Sequence, residues 1–165
     1  RKSADMGFAK LSLKGRALKL LAQREHSRSE LETKLARHVE EGDDLAAILD
    51  ELESKDFINS ERVAASVVHR RASRMGTQRV VQELRSKGLD DALIKSTAAE
   101  LQSTELERAL QVWKSKFGSR EPASTPQEKA KQMRFLAARG FSGDVVRKVL
   151  KSAAEIEDGD SSCFE

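Results

Sequence analysis

The stretch LRSKGLD at residues 84–90 recurs 52 residues later as LAARGFS at residues 136–142, and each position matches in kind. Ile94 and Val146 follow the two copies at equivalent places. Each copy has the pattern of a helix end with a cationic residue, a glycine stop, one apolar residue, and a Ser or Asp that caps the next helix. Such a period is typical of a supersecondary unit copied along the chain. The repeat predicts a helical array with a long surface, in which the two glycines are structural stops.

The composition of the chain favours helices and argues against a β-sandwich. The chain has 165 residues, of which 35% are charged and 4% are aromatic, with no tyrosine and two prolines. Good helix formers dominate, namely Ala, Leu, Lys, Glu, Arg and Gln. The hydrophobic share of 38% suits a thin body in which much of each helix faces water. We therefore predict an all-α fold with a thin, elongated helical body.

Helical spacing of apolar residues recurs along the sequence and predicts nine helices. Ser27 and Glu30 predict a capping box at the second helix. The other predicted capping residues are Asp43 or Asp44, Asn59 or Ser60, Thr77, Asp90, and Ser103 or Thr104. The stripes expected to face the core on the seventh and eighth helices are Leu106, Leu110, Trp113 and Phe117, and Met133, Leu136 and Ala137. A loop at residues 118–126 holds both prolines.

The predicted helices group into three repeats with a segment at either end. The first repeat matches the pattern less well, because Val39 stands where the later copies have glycine and about three residues are inserted after it. Terminal repeats are often atypical, so this difference is compatible with a triplication. The predicted segments are a basic extension at 1–13, repeats at 14–59, 60–103 and 104–155, and an acidic tail at 156–165.

Catalytic, cofactor and metal motifs are absent from the sequence. It contains no P-loop, GxGxxG, HExxH or CxxC pattern. His26 and His38 have a poor spacing for a metal site, and the histidines are expected to be solvated or to lie at helix C-termini. Cys163 stands in an acidic segment, which disfavours a reactive thiolate. We therefore predict that the protein is not an enzyme and needs neither a metal nor a cofactor.

Positive charge is concentrated in the middle of the chain. The net charge is +3, and residues 61–89 hold seven Lys and Arg against two acids. Arginine forks suit phosphate or carboxylate recognition. The residues predicted to contact DNA or an acidic protein surface are Arg70, Arg71, Arg74, Arg79, Arg85 and Lys87. A second, less specific basic run consists of Lys10, Lys14, Arg16 and Lys19. Arg139, in a charge-balanced repeat, is not part of the predicted cluster.

Two stretches carry a family resemblance, REHSRSELETKL at 24–35 and DFINSERVAASVVHRRASRMGTQRVVQELRSKGLDD at 56–91. They resemble the RecX family of bacterial recombination regulators. That family is marked by an SRxEL-type second helix, a hydrophobic–acidic turn before an RFA-like helix, and a basic helix of the form GxxR[IV]xxELxxKG. The matching segments here are Ser27–Leu31, Phe57–Ala64, with Val63 where Phe is usual, and Gly76–Gly88. The resemblance covers about residues 15–151.

The resemblance implies a function that composition cannot give. Members of the family bind the filament that RecA recombinase forms on single-stranded DNA and lie in its groove. They reduce its ATP hydrolysis, strand exchange and co-protease activity. The resemblance also implies DNA binding, a fold of three tandem three-helix repeats that form an elongated, curved array, and no catalytic residue. We predict that the protein is a monomer and that it binds single-stranded and double-stranded DNA with low sequence specificity.

The sequence also predicts a cellular location and leaves two alternative functions open. No apolar run approaches the ~18 residues of a membrane span, and no signal peptide is visible, so we predict a cytoplasmic protein without a membrane partner. The main alternative is a helix-turn-helix transcriptional regulator, because three-helix units with basic second and third helices can mimic that motif. A third possibility is a protein–protein scaffold that does not contact DNA.

Overall fold

The structure, a computed structural model, describes residues 10–118, 123 and 125–160, with side chains up to residue 155. The described residues form nine α-helices, one 3₁₀ turn at Ala36–His38 and no strand, which confirms the predicted all-α fold. The helices are α1 (Leu13–Gln23), α2 (Arg28–Leu35), α3 (Leu45–Ser54), α4 (Ser60–Arg71), α5 (Thr77–Ser86), α6 (Asp91–Ser103), α7 (Glu105–Phe117), α8 (Pro126–Ala138) and α9 (Gly143–Asp160). Cys163, most of the predicted N-terminal extension, the loop interior and the end of the acidic tail lie outside the described residues.

The chain divides into two compact units, unit 1 (Arg1–Val63) and unit 2 (Ala64–Glu165). Unit 1 contains α1, α2, α3 and the start of α4. Unit 2 contains the rest of α4 and all later helices. The boundary between the units therefore falls inside α4. No helix of the described residues is both long enough and apolar enough to cross a bilayer.

Unit 1 is built on a leucine-rich core in which α2 packs against α1 and α3. The capping box of α2 is confirmed, since the Glu30 N–H donates to Ser27 Oγ (3.2 Å) and the Ser27 N–H donates to the Glu30 carboxylate (2.9 Å). Asp44 caps α3 by accepting the N–H of Ala47 at 3.0 Å. The buried core residues of unit 1 are Leu13, Ala17, Leu31, Leu35, Leu49, Leu52 and Ile58.

The repeated phrase forms the same helix ending in both copies. Gly88 and Gly140 have φ values of 69° and 86°, the left-handed region that glycine enters without strain. In each copy the N–H of the next residue donates to the leucine carbonyl five residues earlier, at 3.4 Å in the first and 3.3 Å in the second. The predicted role of both glycines as helix stops is confirmed. In the first repeat, α2 instead runs into the 3₁₀ turn.

The predicted inner faces of α7 and α8 are partly wrong. Leu106 and Met133 are 37% and 43% exposed. The buried apolar face of α7 consists of Ala109, Val112 and Phe117, so the predicted burial of Phe117 is confirmed. Leu110 and Trp113 are partly buried and pack against the core, as predicted. Two stripes of helical spacing compete on α7, and its packing against α9 selects the one that contains the small Ala109.

His26 is buried, with 1% of its surface exposed, although the sequence predicted a solvated or helix-terminal histidine. Its Nδ1–H donates to the Arg24 carbonyl at 3.0 Å, and Lys34 Nζ donates to its Nε2 at 3.1 Å. The Lys34 contact requires a neutral imidazole, because Nε2 must accept, whereas the Arg24 contact forms in either charge state. Burial above all, with the charges of Arg24 and Lys34, lowers the pKa of His26.

Unit 1 is therefore expected to lose stability in mild acid. An unfolded histidine takes up its proton near pH 6.5, whereas His26 in the folded chain takes it up only at lower pH. Stability is complete above the unfolded value and falls as pH drops below it, because protonation favours the unfolded state. The measurement is hydrogen exchange of α1 and α2 at a series of pH values, corrected for intrinsic rates.

The matched variants for this test are His26→Asn and His69→Asn. Asparagine at position 26 keeps a donor for the Arg24 carbonyl but does not titrate. We expect His26→Asn to flatten the acid dependence of α1 and α2. His69 lies exposed on α4, so His69→Asn should leave that dependence unchanged. An equally steep acid loss in His26→Asn would contradict the assignment to His26.

Candidate nucleic-acid interface in unit 2

The turn between α4 and α5 is held by α7. Gly76 is the N-cap of α5 and Thr77 its first residue, so the predicted capping role of Thr77 is wrong. The Thr77 N–H donates at 2.9 Å to the carboxylate of Glu105, a buried residue of α7. A negative charge at a helix N-terminus is favourable because the helix dipole is positive there. A carboxylate from another repeat thus replaces the local cap.

Arg108 fixes the same turn from α7. Its guanidinium donates to the Ala72, Met75 and Leu101 carbonyls at 2.9, 2.6 and 2.9 Å. It therefore satisfies acceptors after the end of α4 and near the end of α6. Burial lowers the pKa of Arg108, and the nearby charge of Glu105 opposes that effect. This half-buried arginine is structural rather than part of a contact surface.

The backbone at the start of α5 is also hydrogen-bonded to the backbone at the end of α8. The Gly76 N–H donates to the Arg139 carbonyl at 2.8 Å, and the Gln78 N–H donates to the Gly140 carbonyl at 3.2 Å. Arg79 Nε donates to the Ala138 carbonyl at 3.2 Å. Backbone N–H groups at the start of α5, which have no partner within the helix, thereby bond to carbonyl groups at the end of α8 that have none within theirs. These contacts set the second repeat against the third and bring their cationic side chains together.

Two adjoining grooves result, which together we call the unit-2 cationic surface. The larger, of about 730 Å³, runs between α5 and α8, and the smaller, of about 510 Å³, lies beside α4 and α7. Arg71, Met75, Phe135 and Arg139 line both grooves. Glu83 is the one acid among the described residues that line them. The lining cations are Arg70, Arg71, Arg74, Arg79, Lys116 and Arg139.

The structure brings four of the six sequence-predicted contact residues together. These four are Arg70, Arg71, Arg74 and Arg79. Arg85 and Lys87, near the end of α5, do not line either groove. The guanidinium groups of Arg70 and Arg71 approach the Glu83 carboxylate at 3.5 and 2.8 Å, and both side chains remain 46% exposed. They are thus positioned by Glu83 and still accessible to a ligand.

Arg139 and Lys116 are members of the surface that the sequence analysis missed. Arg139 donates to the Arg74 carbonyl at 3.1 Å, and its guanidinium lies 4.6 Å from the centre of the Phe135 ring. The cation–π contact holds the planar group in place. Its only sequence signal is its position before Gly140, equivalent to Lys87 in the other copy. Local charge balance concealed it, because the other arginines that line the grooves come from the second repeat.

Metal chemistry finds no support at this surface. Within the ranges that the structure describes, no three His, Cys, Asp or Glu side chains form a group that could hold a metal ion. Positive charge and a partly apolar floor from Met75 and Phe135 are the chemical features of the grooves. Such a lining suits phosphates or carboxylates.

Family models match three consecutive segments of the chain. The first, second and third three-helix domains of RecX match residues 14–52, 59–97 and 103–150. The chain belongs to the RecX family. The predicted arrangement of three tandem three-helix repeats is confirmed by the same matches.

Individual RecX proteins align over nearly the whole chain. The regulatory protein RecX of Leptothrix cholodnii is 49% identical over 152 residues, which cover 92% of this chain and 96% of the relative. That of Ralstonia nicotianae is 49% identical over 151 residues, covering 91% and 94%. The crystal structure of RecX from Lactobacillus salivarius superposes with a TM-score of 0.73 at 21% identity, over 86% of this chain and 94% of that one. The structural match supports the fold alone.

Proposed function

We propose that this chain is a non-enzymatic regulator that binds RecA filaments on single-stranded DNA and reduces RecA ATPase, strand exchange and co-protease activity. Its membership of a family whose relatives are named regulatory proteins supports the regulatory role. The proposal includes RecA and DNA as partners and a monomer that acts in the cytoplasm without a cofactor.

The unit-2 cationic surface is the observation that carries the proposal. Among the described residues, the lining of the two grooves contains six cations and a single carboxylate. Arg71 and Arg139 are held in place by Glu83 and Phe135 respectively, so less freedom is lost when they bind a ligand. A filament of protein on DNA offers both of the anions that guanidinium groups bind well, phosphate and carboxylate. We propose that Arg70, Arg71, Arg74 and Arg79 contact this target, together with Arg139 and Lys116.

Arg85 and Lys87 remain candidates at the far end of α5. Arg85 lies in the last turn of α5 and Lys87 just after it, where positive charges interact favourably with the helix dipole. Stabilisation of the helix end is therefore enough to account for both residues. We therefore place them at the margin of the proposed contact surface rather than in its centre.

The geometry of α5 argues against the helix-turn-helix alternative. A recognition helix reads base edges with its N-terminal residues. Here Thr77 is 5% exposed and Gly76 is packed on Gly140, so the third repeat covers the N-terminus of α5. Inserting this end of α5 into a major groove would require separation of the two repeats.

The decisive experiment is a titration of RecA–single-stranded DNA filaments with the purified chain while ATP hydrolysis is followed. We expect inhibition, and we expect Arg70→Ala/Arg71→Ala/Arg74→Ala to weaken it by at least about tenfold in concentration. In direct binding to single-stranded DNA, three lost phosphate contacts should reduce the slope of log K against log salt by about 2. Exposed ion pairs contribute roughly 0–1 kcal/mol, so thermal unfolding should change little.

The charge-matched control is Lys95→Ala/Lys129→Ala/Lys131→Ala. These three lysines are exposed residues of unit 2 that do not line the grooves. The control should inhibit the ATPase as the unchanged chain does. No inhibition by the unchanged chain at several-fold excess over RecA would refute the proposed function. Equal inhibition by the arginine variant and the control would refute only the proposed surface.

A further inference from the structure

Unit 1 contains a groove of its own, which we call the unit-1 groove. It has a volume of about 310 Å³, with one wall on α1 and the other on α2 and the 3₁₀ turn. Among the described residues that line it, none is acidic. Its charged residues are Arg16 and Lys19 on α1, Lys34 on α2, and Arg37 in the 3₁₀ turn. Of the second basic run in the sequence, Arg16 and Lys19 line the groove, whereas Lys10 and Lys14 do not.

The other cations among the described residues of unit 1 pair with carboxylates. Lys10 pairs with Glu40, and Lys14 lies 2.7 Å from Glu51. Hydrogen bonds from Lys14 and Lys55 lower the pKa of Glu51 to about 2, so this acid stays ionised. Arg28 contacts three carboxylates at 3.0, 2.6 and 2.8 Å. Among the described residues, acids are therefore distributed over unit 1 but do not line the unit-1 groove.

The positive charges around the groove also act on the pKa of His38. It lies in the groove lining, and Arg37 Nε donates to its Nε2 at 3.3 Å, which requires the neutral ring. Desolvation, followed by the charges of Arg16, Arg37 and Lys10, lowers the pKa of His38. Lys19 and Lys34 line the same groove, and Glu40, two residues after His38 in the sequence, pairs with Lys10. An anion bound here would offset these charges and favour the protonated ring.

The apolar part of the lining indicates which anion fits. Leu11 is 48% exposed at the groove, and Leu20 and Leu35 form part of its wall. Single-stranded nucleic acid combines a line of phosphates with unpaired bases that have exposed apolar faces. Duplex DNA stacks those faces away from a protein surface. Cations beside the exposed Leu11 therefore favour a single strand, whose unpaired bases can contact this side chain.

We propose that the unit-1 groove is a second phosphodiester-binding site, which takes single-stranded nucleic acid and gains a proton on His38 when it is occupied. This goes beyond the proposed function, whose contact surface lies wholly in unit 2. The unit-1 groove would give the chain two separate positions at which a strand is bound.

The site is tested with the full chain and fluorescein-labelled oligo(dT) by anisotropy. The groove variant is Lys19→Gln/Arg37→Gln, one exposed cation from each wall. The control is Lys10→Gln/Lys14→Gln, which removes the same charge from the same unit but from carboxylate-paired positions. We expect the groove variant to lose about fivefold to tenfold in affinity and to reduce the salt slope by about 1.4, and the control to change less than about twofold. Circular dichroism melts verify that both are folded.

The proton linkage has its own readout. His38 is neutral in the free chain near neutral pH, and a bound phosphate raises its affinity for a proton, so binding takes up protons. From about pH 8 to about pH 5, the affinity of the unchanged chain should rise more steeply than that of His38→Gln. The matched control is His69→Gln, an exposed histidine of α4 outside the groove, and it should follow the unchanged chain.

Four outcomes would overturn the inference. The first is that the unchanged chain does not bind oligo(dT), and the second is that the groove variant and the control lose equal affinity for it. The third is that His38→Gln leaves the pH dependence of the affinity unaltered. The fourth is that the groove variant loses RecA binding but keeps oligo(dT) binding. The last outcome would assign the groove to an acidic protein surface. Testing Arg70→Ala/Arg71→Ala/Arg74→Ala in parallel separates this inference from the proposed function, because either surface can fail without the other.

Discussion

Replacing Gly76 with alanine is expected to destabilise unit 2 by more than about 4 kcal/mol, in the exceptional range for one substitution. A Cβ built on Gly76 would lie 2.2 Å from the carbonyl carbon and oxygen of Gly140 and 2.3 Å from the nitrogen of Phe141. These atoms are backbone, so no side-chain rotation can relieve the overlap. Moving the turn away would break the hydrogen bonds of Gly76 and Gln78 to the end of α8.

Trp113 makes this prediction measurable for unit 2 alone. It is the only tryptophan of the chain, and its Nε1–H donates to Gln132 at 2.9 Å beside the unit-2 core. Its fluorescence during heating should give a midpoint lowered by at least about 15 °C in Gly76→Ala, from the usual 4–8 °C per kcal/mol for a domain of this size.

Gly143→Ala is the control for the Gly76 variant. Gly143 is the first residue of α9, and the nearest atom to a Cβ there is the tip of Arg147 at 3.7 Å. Alanine should be neutral or stabilise by up to about 1 kcal/mol, because it restricts the unfolded chain. A midpoint for Gly76→Ala within about 5 °C of the unchanged chain would contradict the close packing of the two repeats.

Replacing Arg108 with methionine is the second substitution with a large expected effect, a loss of about 3–5 kcal/mol. Methionine fills much of the same volume but donates no hydrogen bond, so it leaves the Ala72, Met75 and Leu101 carbonyls without this donor. It also removes the positive charge that lies near the buried carboxylate of Glu105. The free energy of unfolding is measured by urea titration of Trp113 fluorescence.

Two further variants locate the cause of the loss at Arg108. Arg134→Met removes an exposed arginine of α8 and should change the free energy of unfolding by less than about 0.5 kcal/mol. Arg108→Lys keeps the charge but lacks the planar fork, so it should recover only part of the loss. A change below about 1 kcal/mol in Arg108→Met would show that water replaces the guanidinium at the three carbonyls.

Much of the local structure follows from short patterns of residues. The predicted caps Ser27, Asp44 and Asp90 all accept backbone N–H groups, because each needs only the residues two or three positions away. The stops at Gly88 and Gly140 follow from a conformation that glycine favours over other residues. Thr77 was assigned wrongly as a cap because the group that meets the α5 N-terminus is Glu105, distant in sequence.

The sequence predicted only part of the candidate site, again because contacts between distant segments complete it. The local excess of arginine in the second repeat identified Arg70, Arg71, Arg74 and Arg79 as a cluster. Charge counting cannot pair them with Arg139, which enters the grooves only because the α8 end docks on α5. His26 and Leu106 show the same limit, since burial depends on which neighbouring helix covers a residue.

The sequence by itself determined the helices, most of their caps and stops, the threefold repeat and the family. These depend on backbone preferences and side-chain spacing within a few residues. Tertiary structure alone decided which stripe of α7 is buried and that Arg108 and Glu105 hold the α4–α5 turn. It also decided that two cations from the third repeat, Arg139 and Lys116, join those of the second. These features arise from close contact between distant segments, where hydrogen-bond partners and burial depend on the packing of whole helices.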